Sequence, residues 1–110
     1  MALPKILWVD DEIELLQSQK IFLENKGYEV TTFTNGFDAL DYFKDHVIDV
    51  VLLDKSLPDG NGLDLIAEIK RRTFATAVIV FTGDSNFNLV QKCLNSGAND
   101  YLIKSEHAVS

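Results

Sequence analysis

Four of the apolar runs in this sequence are followed directly by side chains that could do chemistry. Asp10 and Asp11 follow the first of these runs, Asp54 follows the second, Thr82 the third and Lys104 the fourth. Carboxylates bind hard divalent cations, and ammonium and hydroxyl groups bind phosphate oxygens. These residue types could therefore hold a cation and a phosphate in one pocket, provided that the fold brings them together.

The three carboxylates need a positive charge beside them if they lie within a few ångströms of one another. Without one, like charges in close contact raise each other's pKa until protons bind. Mg²⁺ suits such a site because it prefers oxygen ligands and keeps several waters, which leaves room for phosphate oxygens. With Mg²⁺ and Lys104 neutralising the charge, one carboxylate could attack phosphorus and form an acyl phosphate.

The elements that must position these groups alternate along the chain. Apolar, β-branched runs predict strands, and amphipathic stretches between them predict helices. The strands are expected at 5–9, 28–33, 49–53, 77–81 and 100–103, and the helices at 12–25, 37–45, 63–72 and 86–96. Such alternation favours right-handed crossovers and a parallel sheet covered on both faces. Ligands bind such a sheet at the carboxyl ends of its strands, which is where the reactive groups lie.

Size and charge narrow the class of protein. A chain of 110 residues has room for one domain with one core. Its net charge of −7 argues against direct nucleic-acid binding, because that binding depends on neutralising phosphates with Lys and Arg. No apolar run is long enough to cross a membrane, no signal peptide is evident, and the single Cys93 cannot form an internal disulfide. These features favour a cytoplasmic protein without a membrane partner.

Four segments together resemble a response-regulator receiver domain of two-component signalling systems. They are WVDDE at 8–12, LLDKSLPDGNG at 52–62, FTG at 81–83 and DYLIK at 100–104. The resemblance runs from the first strand through the fifth, in the family's order. It implies a flavodoxin-like, doubly wound sheet of five parallel strands in the order 2-1-3-4-5. It also implies a single receiver domain over 1–110, which we expect to be the N-terminal part of a longer response regulator.

The resemblance implies a phosphorelay function in which Asp54 is the phosphoacceptor. A sensor histidine kinase or a histidine phosphotransfer protein would donate the phosphoryl group, with Mg²⁺ as cofactor and Mn²⁺ able to replace it. Such a domain is not a conventional enzyme, since it promotes only its own phosphorylation and autodephosphorylation. Phosphorylation would switch its protein contacts through a small shift in loop populations.

The family's metal-binding roles transfer to four positions. Asp11 would bind Mg²⁺ directly, together with Asp54. Asp10 would bind through a water molecule, and Ser56 would bind through its backbone carbonyl.

Further roles in the family concern the phosphoryl group itself. Thr82 and Lys104 would bind its oxygens, and the small Gly83 would leave the approach to the phosphoacceptor open. Tyr101 would be the switch aromatic, which changes rotamer as Thr82 moves toward the phosphate.

Two features depart from the family pattern. Ser105 stands where the family usually has a proline, so the loop that carries Lys104 could be placed differently. The six residues after Lys104 are about one helical turn, so the final helix is expected to be missing or vestigial. The sheet edge that this helix would cover is then expected to be exposed or covered by another molecule, and a homodimer is one such arrangement.

Three other interpretations stay open. Asp10 and Asp11, with Glu12 behind them, could be an acidic helix start favoured by the helix dipole, and Tyr101 could be a packed aromatic. The chain could be a degenerate receiver that binds proteins without phosphate, an alternative that Ser105 and the short C-terminus keep open. A hydrolase with an aspartyl nucleophile is disfavoured, because such enzymes carry that residue after the first strand, in an Asp-x-Asp pattern, and have a cap domain, whereas Asp54 follows the third strand.

Overall fold

The computed structural model of the chain describes residues 3–54, 56–57, 60–83 and 86–104. The predictions made for Ser105 and for the final helix concern residues outside these ranges. Within them the strands are β1 Lys5–Val9, β2 Glu29–Phe33, β3 Val50–Leu53, β4 Ser56–Leu57, β5 Gly60–Asn61, β6 Ala77–Thr82 and β7 Asp100–Ile103. The α-helices are α1 Gln17–Asn25, α2 Gly36–Lys44, α3 Gly62–Arg72 and α4 Phe87–Asn95.

Five parallel strands form the main sheet, in the order β2-β1-β3-β6-β7. This is the predicted order 2-1-3-4-5 once β4 and β5, which pair only with each other, are set aside. The chain leaves β1 toward β2 on one side and returns to β3 on the other, so the strand order reverses beside β1. The carboxyl ends of β1 and β3 therefore meet at the topological switch point, where open α/β sheets bind their ligands.

An apolar cluster covers each face of the sheet. The first contains side chains from β1, β3, β6, α2, α3 and α4, including Leu7, Val9, Phe43, Val51, Leu53, Ile66, Ile69, Val78, Val80 and Cys93. The second contains Trp8, Ile13 and Leu16, with Leu23 of α1 packed against them. A strand that is buried on both faces has a continuous run of apolar residues in its sequence, so such strands are easy to predict from the sequence.

The region after β1 differs from the single helix predicted at 12–25. A 3₁₀ helix spans Ile13–Leu16, and α1 begins only at Gln17. The backbone N–H of Glu12 donates to Asp10 Oδ1 at 2.9 Å, and the N–H of Ile13 donates to the Asp10 carbonyl at 3.2 Å. The Asp10 side chain thus turns the chain tightly, as short polar side chains do where they compete with regular helix hydrogen bonds.

A side-chain cap and two glycines with positive φ angles fix the ends of three helices. Asn35 accepts from the N–H of Asp38 at 2.8 Å and caps α2 at its N-terminus. Gly27 after α1 has a φ of 101°, and Gly97 after α4 has a φ of 113°. Both angles lie in the left-handed region that favours glycine after a helix.

An apolar groove of about 380 Å³ lies between α1 and the sheet, and we call it the α1 groove. It is lined by Trp8, Ser18, Gln19, Phe22, Leu23, Leu52, Phe81 and Leu102. Leu102 on β7 is 47% exposed, and Phe22 on α1 is 59% exposed. The buried indole Nε1 of Trp8 has no hydrogen-bond partner among the described residues. This face of β3, β6 and β7 is therefore only partly covered by the part of the chain that the structure describes.

None of the helices in the described ranges has the length and the apolar content that a bilayer crossing requires.

Candidate functional site

The carboxyl ends of β1, β3, β6 and β7 meet at one rim of the sheet. Asp10 follows β1, Asp54 follows β3, Thr82 ends β6 and Lys104 follows β7. Two backbone hydrogen bonds link the ends of neighbouring strands. The N–H of Asp54 donates to the carbonyl of Val9 at 2.9 Å, and the N–H of Lys104 donates to the carbonyl of Thr82 at 2.7 Å. Residues from distant parts of the sequence thus come together as the strand pattern predicted.

The Lys104 ammonium lies between two buried carboxylates. Its Nζ is 2.6 Å from Asp10 Oδ2 and 3.4 Å from Asp54 Oδ2. Asp10 is fully buried, Asp54 is 5% exposed, and the Lys104 side chain is 9% exposed. Buried charges need partners of opposite sign, and here the Lys104 ammonium is the partner of both carboxylates.

Burial and charge act in opposite directions on the pKa values in this pocket. Burial raises the pKa of Asp10, and the hydrogen bond from Lys104 offsets only part of that effect. Burial lowers the pKa of Lys104, but its hydrogen bond to Asp10 and the attraction of both carboxylates raise that pKa overall. Lys104 is held in its charged form, whereas Asp10 carries an unfavourable charge that a further cation would relieve.

Four acidic side chains are close enough to share one cation. Each of Asp10, Asp11, Glu12 and Asp54 offers a carboxylate oxygen, and these oxygens lie within 4.8 Å of one another. A compact set of oxygen donors fits Mg²⁺, which binds through carboxylates and keeps its remaining positions for water or phosphate oxygens. The buried charge of Asp10 gives this set an independent reason to hold a cation.

Glu12 is the member of this cluster that the sequence reasoning did not assign to the metal. The sequence carries a signal for it, since Glu12 is the third acid in a row after β1, but such a run also predicts an acidic helix start. Ser56 belongs to the short strand β4, two residues after Asp54, and pairs with Asn61 across the β4-β5 ladder.

Thr82 and Gly83 form the side of the pocket that β6 contributes. Thr82 is 3% exposed, and it lies on the same face of β6 as the buried Val78 and Val80. Gly83 is exposed, and among the described residues a Cβ at this position would meet no atom within 4 Å. The position next to Thr82 is therefore open to solvent.

Tyr101 lies one strand away, on β7. Its ring is half-buried and packs against the first apolar cluster, and its backbone N–H donates to Asp100 Oδ1 at 2.8 Å. These contacts fit a packed aromatic and a switch aromatic equally, so both interpretations stay open.

Comparison with known proteins identifies the family. The sequence model described as the response regulator receiver domain matches residues 6–109. The chain belongs to the response regulator receiver domain family. It is consistent with phosphorylation-dependent signalling, and its acidic cluster lies where receiver domains generally bind Mg²⁺.

Curated relatives of this receiver domain include KdpE, a transcriptional regulatory protein of Mycobacterium tuberculosis. The two are 34% identical over 99 residues, which are 90% of this chain and 43% of KdpE. The chain spans about half the length of the curated relatives that it matches. Since such relatives are transcription regulators by name, they give no support to the expected absence of nucleic-acid binding. That expectation rests on the charge of these 110 residues alone.

Solved structures agree with the fold of this receiver domain. A response regulator receiver domain protein from Clostridium thermocellum is 38% identical, with a TM-score of 0.85 over 96% of this chain and 86% of that one. The beryllofluoride-activated NtrC4 receiver domain dimer is 30% identical, with a TM-score of 0.85 over 96% of this chain and 95% of that one.

Proposed function

We propose that this receiver domain accepts a phosphoryl group on Asp54 from a phosphohistidine of a sensor kinase or a phosphotransfer protein. One observation carries the proposal: the Lys104 ammonium lies between the buried carboxylates of Asp10 and Asp54, beside the open position at Gly83. A buried anion that is paired with a cation and remains reachable from solvent is what an aspartyl nucleophile needs.

The transfer step can be written with its atoms in balance. A carboxylate oxygen of Asp54 attacks phosphorus, an O–P bond forms, and the N–P bond of the phosphohistidine breaks. The electron pair of that bond leaves with the imidazole nitrogen of the donor. Mg²⁺, held by Asp11, Asp54 and the backbone carbonyl of Ser56 with Asp10 acting through water, would neutralise charge on the transferred oxygens. The protein's own part is mostly positioning and charge neutralisation.

Side chains around Asp54 take up the charge of the new acyl phosphate. The Lys104 ammonium shifts its pairing from the Asp54 carboxylate to a phosphoryl oxygen, and the Thr82 hydroxyl donates to another. Movement of Thr82 toward the phosphate frees space for Tyr101, and this rearrangement is the switch that partner proteins read. Water attack on phosphorus releases inorganic phosphate and regenerates the carboxylate, so the domain dephosphorylates itself.

Mass spectrometry of the intact protein tests the proposal. After incubation with Mg²⁺ and acetyl phosphate, the wild-type chain should gain the mass of one phosphoryl group. Asp54→Ala should gain none, whereas Asp41→Asn, which removes an exposed carboxylate from α2, should gain it as the wild type does. No gain in the wild type under saturating donor would overturn the proposal and favour a degenerate receiver that binds proteins without phosphate.

Three finer points belong to this proposal. The domain acts in the cytoplasm, and it is the N-terminal part of a longer response regulator. The length of relatives such as KdpE, of which this chain matches 43%, supports a longer protein. Two copies associate through the exposed sheet edge at β7, where Leu102 lines the α1 groove. The apolar lining of that groove supports this association, and so does the similarity to the NtrC4 receiver domain, which was solved as a dimer.

Sedimentation equilibrium tests the association. The wild-type chain should dimerise with rising concentration, and Leu102→Lys should shift it to monomer, because Leu102 is an exposed part of the groove. A wild-type chain that stays monomeric at all concentrations would rule out the dimer and leave the phosphorylation proposal untouched.

A further inference from the structure

Phe81 contacts both the α1 groove and the acidic pocket. It precedes Thr82 on β6, where burial alternates along the strand, so the two side chains point to opposite faces of the sheet. Its ring lines the α1 groove and packs against the second apolar cluster. The Nζ of Lys104 nevertheless lies only 5.8 Å from the centroid of that ring. The ammonium thus lies near an aromatic ring as well as two carboxylates.

The ring can hold the ammonium because the ammonium is largely removed from water. A cation within about 6 Å of an aromatic centroid is attracted by the ring quadrupole, and the attraction grows when the cation is desolvated. The Lys104 side chain is 9% exposed, so little water competes for its charge. Its contact with Asp10 is short, at 2.6 Å, whereas its contact with Asp54 is long, at 3.4 Å. Asp10 is therefore the nearer partner of the ammonium, and the contact with Phe81 adds a second restraint on its position.

We infer that Phe81 is a positioning residue that keeps the Lys104 ammonium within reach of Asp54. By attracting the ammonium, the ring restrains its position, so that Lys104 can meet a phosphoryl oxygen without a large movement. Its effect on phosphorylation rests on the function proposed above, whereas the contact itself does not. Trp8 holds the ring in turn, because the two ring centroids lie 6.2 Å apart with a tilt of 57°. The second apolar cluster is thereby connected to the acidic pocket through one side chain.

Nuclear magnetic resonance measures the contact directly. An aromatic ring near an ammonium shifts the resonances of the adjacent ε-methylene protons upfield. We expect this shift for Lys104 in the wild type and in Phe81→Tyr, and its loss in Phe81→Leu. Phe81→Met, which keeps a long apolar side chain without a ring, serves if the leucine variant does not fold. Unchanged Lys104 resonances in the ringless variants would overturn the inference.

Phosphorylation rates measure the consequence. In Phe81→Leu the rate with acetyl phosphate should fall by roughly threefold to tenfold, and Phe81→Tyr should restore it. Val30→Ala, which removes apolar surface packed against the same second apolar cluster but lies outside the α1 groove, should leave the rate near that of the wild type. An equal loss in Phe81→Tyr, or in Val30→Ala, would assign the effect to packing and overturn the positioning role.

The two readouts separate this inference from the proposed function. If the wild type gains no phosphoryl group, the proposed function fails, and the Lys104 resonances alone decide whether Phe81 positions the ammonium. If phosphorylation occurs but its rate does not depend on an aromatic ring at position 81, the proposed function stands and the positioning role fails.

Discussion

The Lys104 ammonium is closer to Asp10 than to the proposed phosphoacceptor. Its Nζ lies 2.6 Å from Asp10 Oδ2 and 3.4 Å from Asp54 Oδ2. Because Asp10 is fully buried, it competes strongly for this cation. A divalent cation bound by the acidic side chains would relieve the charge of Asp10, so that Lys104 could turn toward Asp54 and an incoming phosphoryl group.

Removing the ammonium should weaken the fold as well as the chemistry. In Lys104→Met two buried carboxylates lose their cation, and loss of one partner of a buried ion pair typically costs about 3–5 kcal/mol. We expect a loss of about 3 kcal/mol in the free energy of unfolding, measured by urea titration in metal-free buffer. Lys92→Met, on the exposed side of α4, is the matched control. Equal losses in the two variants would contradict this prediction.

The stability of the metal-free protein should depend on pH through Asp10. Its pKa is raised above the ordinary value of 3.8 by burial, so the folded protein binds this proton more tightly than the unfolded chain. The corresponding stabilisation is complete below the unfolded pKa and is lost as pH rises through the folded pKa. The free energy of unfolding of the wild type, relative to Asp10→Asn, should therefore decrease as pH rises above 3.8. Urea titrations at stepped pH measure this difference, and a constant difference would show that the prediction is wrong.

Mg²⁺ should stabilise the wild type against unfolding. Binding to the folded state alone adds about 2.7 kcal/mol when the free ion is at about a hundred times its Kd. Asp11→Asn should lose most of this gain, because it removes a proposed direct ligand, whereas Asp41→Asn on α2 should keep it. Thermal unfolding with and without Mg²⁺ measures the gain in each variant. A gain that is the same in all three proteins would place the ion elsewhere.

A side chain at position 83 should slow access to Asp54 without disturbing the fold. A Cβ there meets no atom of the described residues within 4 Å, so Gly83→Val should change the free energy of unfolding by no more than a typical surface substitution, about 0.5 kcal/mol. The rate of phosphorylation should fall by about tenfold or more, since even one extra methylene in a pocket changes rates by about tenfold. Rates with acetyl phosphate should fall less than rates with a phosphorylated protein donor, because the smaller donor needs less room. Equal rates in wild type and variant would argue against access through this side.

The hydroxyl of Thr82 should matter only once phosphate is present. A hydrogen bond to a charged group contributes about 1.5–3 kcal/mol, so Thr82→Ala should slow phosphorylation by about tenfold or more. Thr82→Ser keeps the hydroxyl and should stay within a few-fold of the wild-type rate. Single-turnover phosphorylation measures both variants, and a serine variant as slow as the alanine variant would assign the effect to the methyl group's packing.

Much of the site was predictable because it depends on strand ends. The apolar runs before Asp10 and Asp54 are long enough to identify as buried strands, and a parallel sheet brings their carboxyl ends together. The 3₁₀ turn at Ile13–Leu16 was not predictable, because it follows from the Asp10 carboxylate accepting a hydrogen bond from its own chain. The closeness of Lys104 to Phe81 was also missed, since it is a side-chain contact that no periodic pattern encodes.

The α1 groove has a consequence for spectroscopy, because the one tryptophan of the sequence lines it. Trp8 is buried beside Phe81, and Asp10 follows it by two residues along the chain. Its fluorescence therefore depends on the polarity of the groove and on the position of the neighbouring ring. The emission maximum will report a molecule entering the groove, and its intensity will report a movement of Phe81. The protein thus carries an intrinsic optical probe, and neither event needs an added label to be followed.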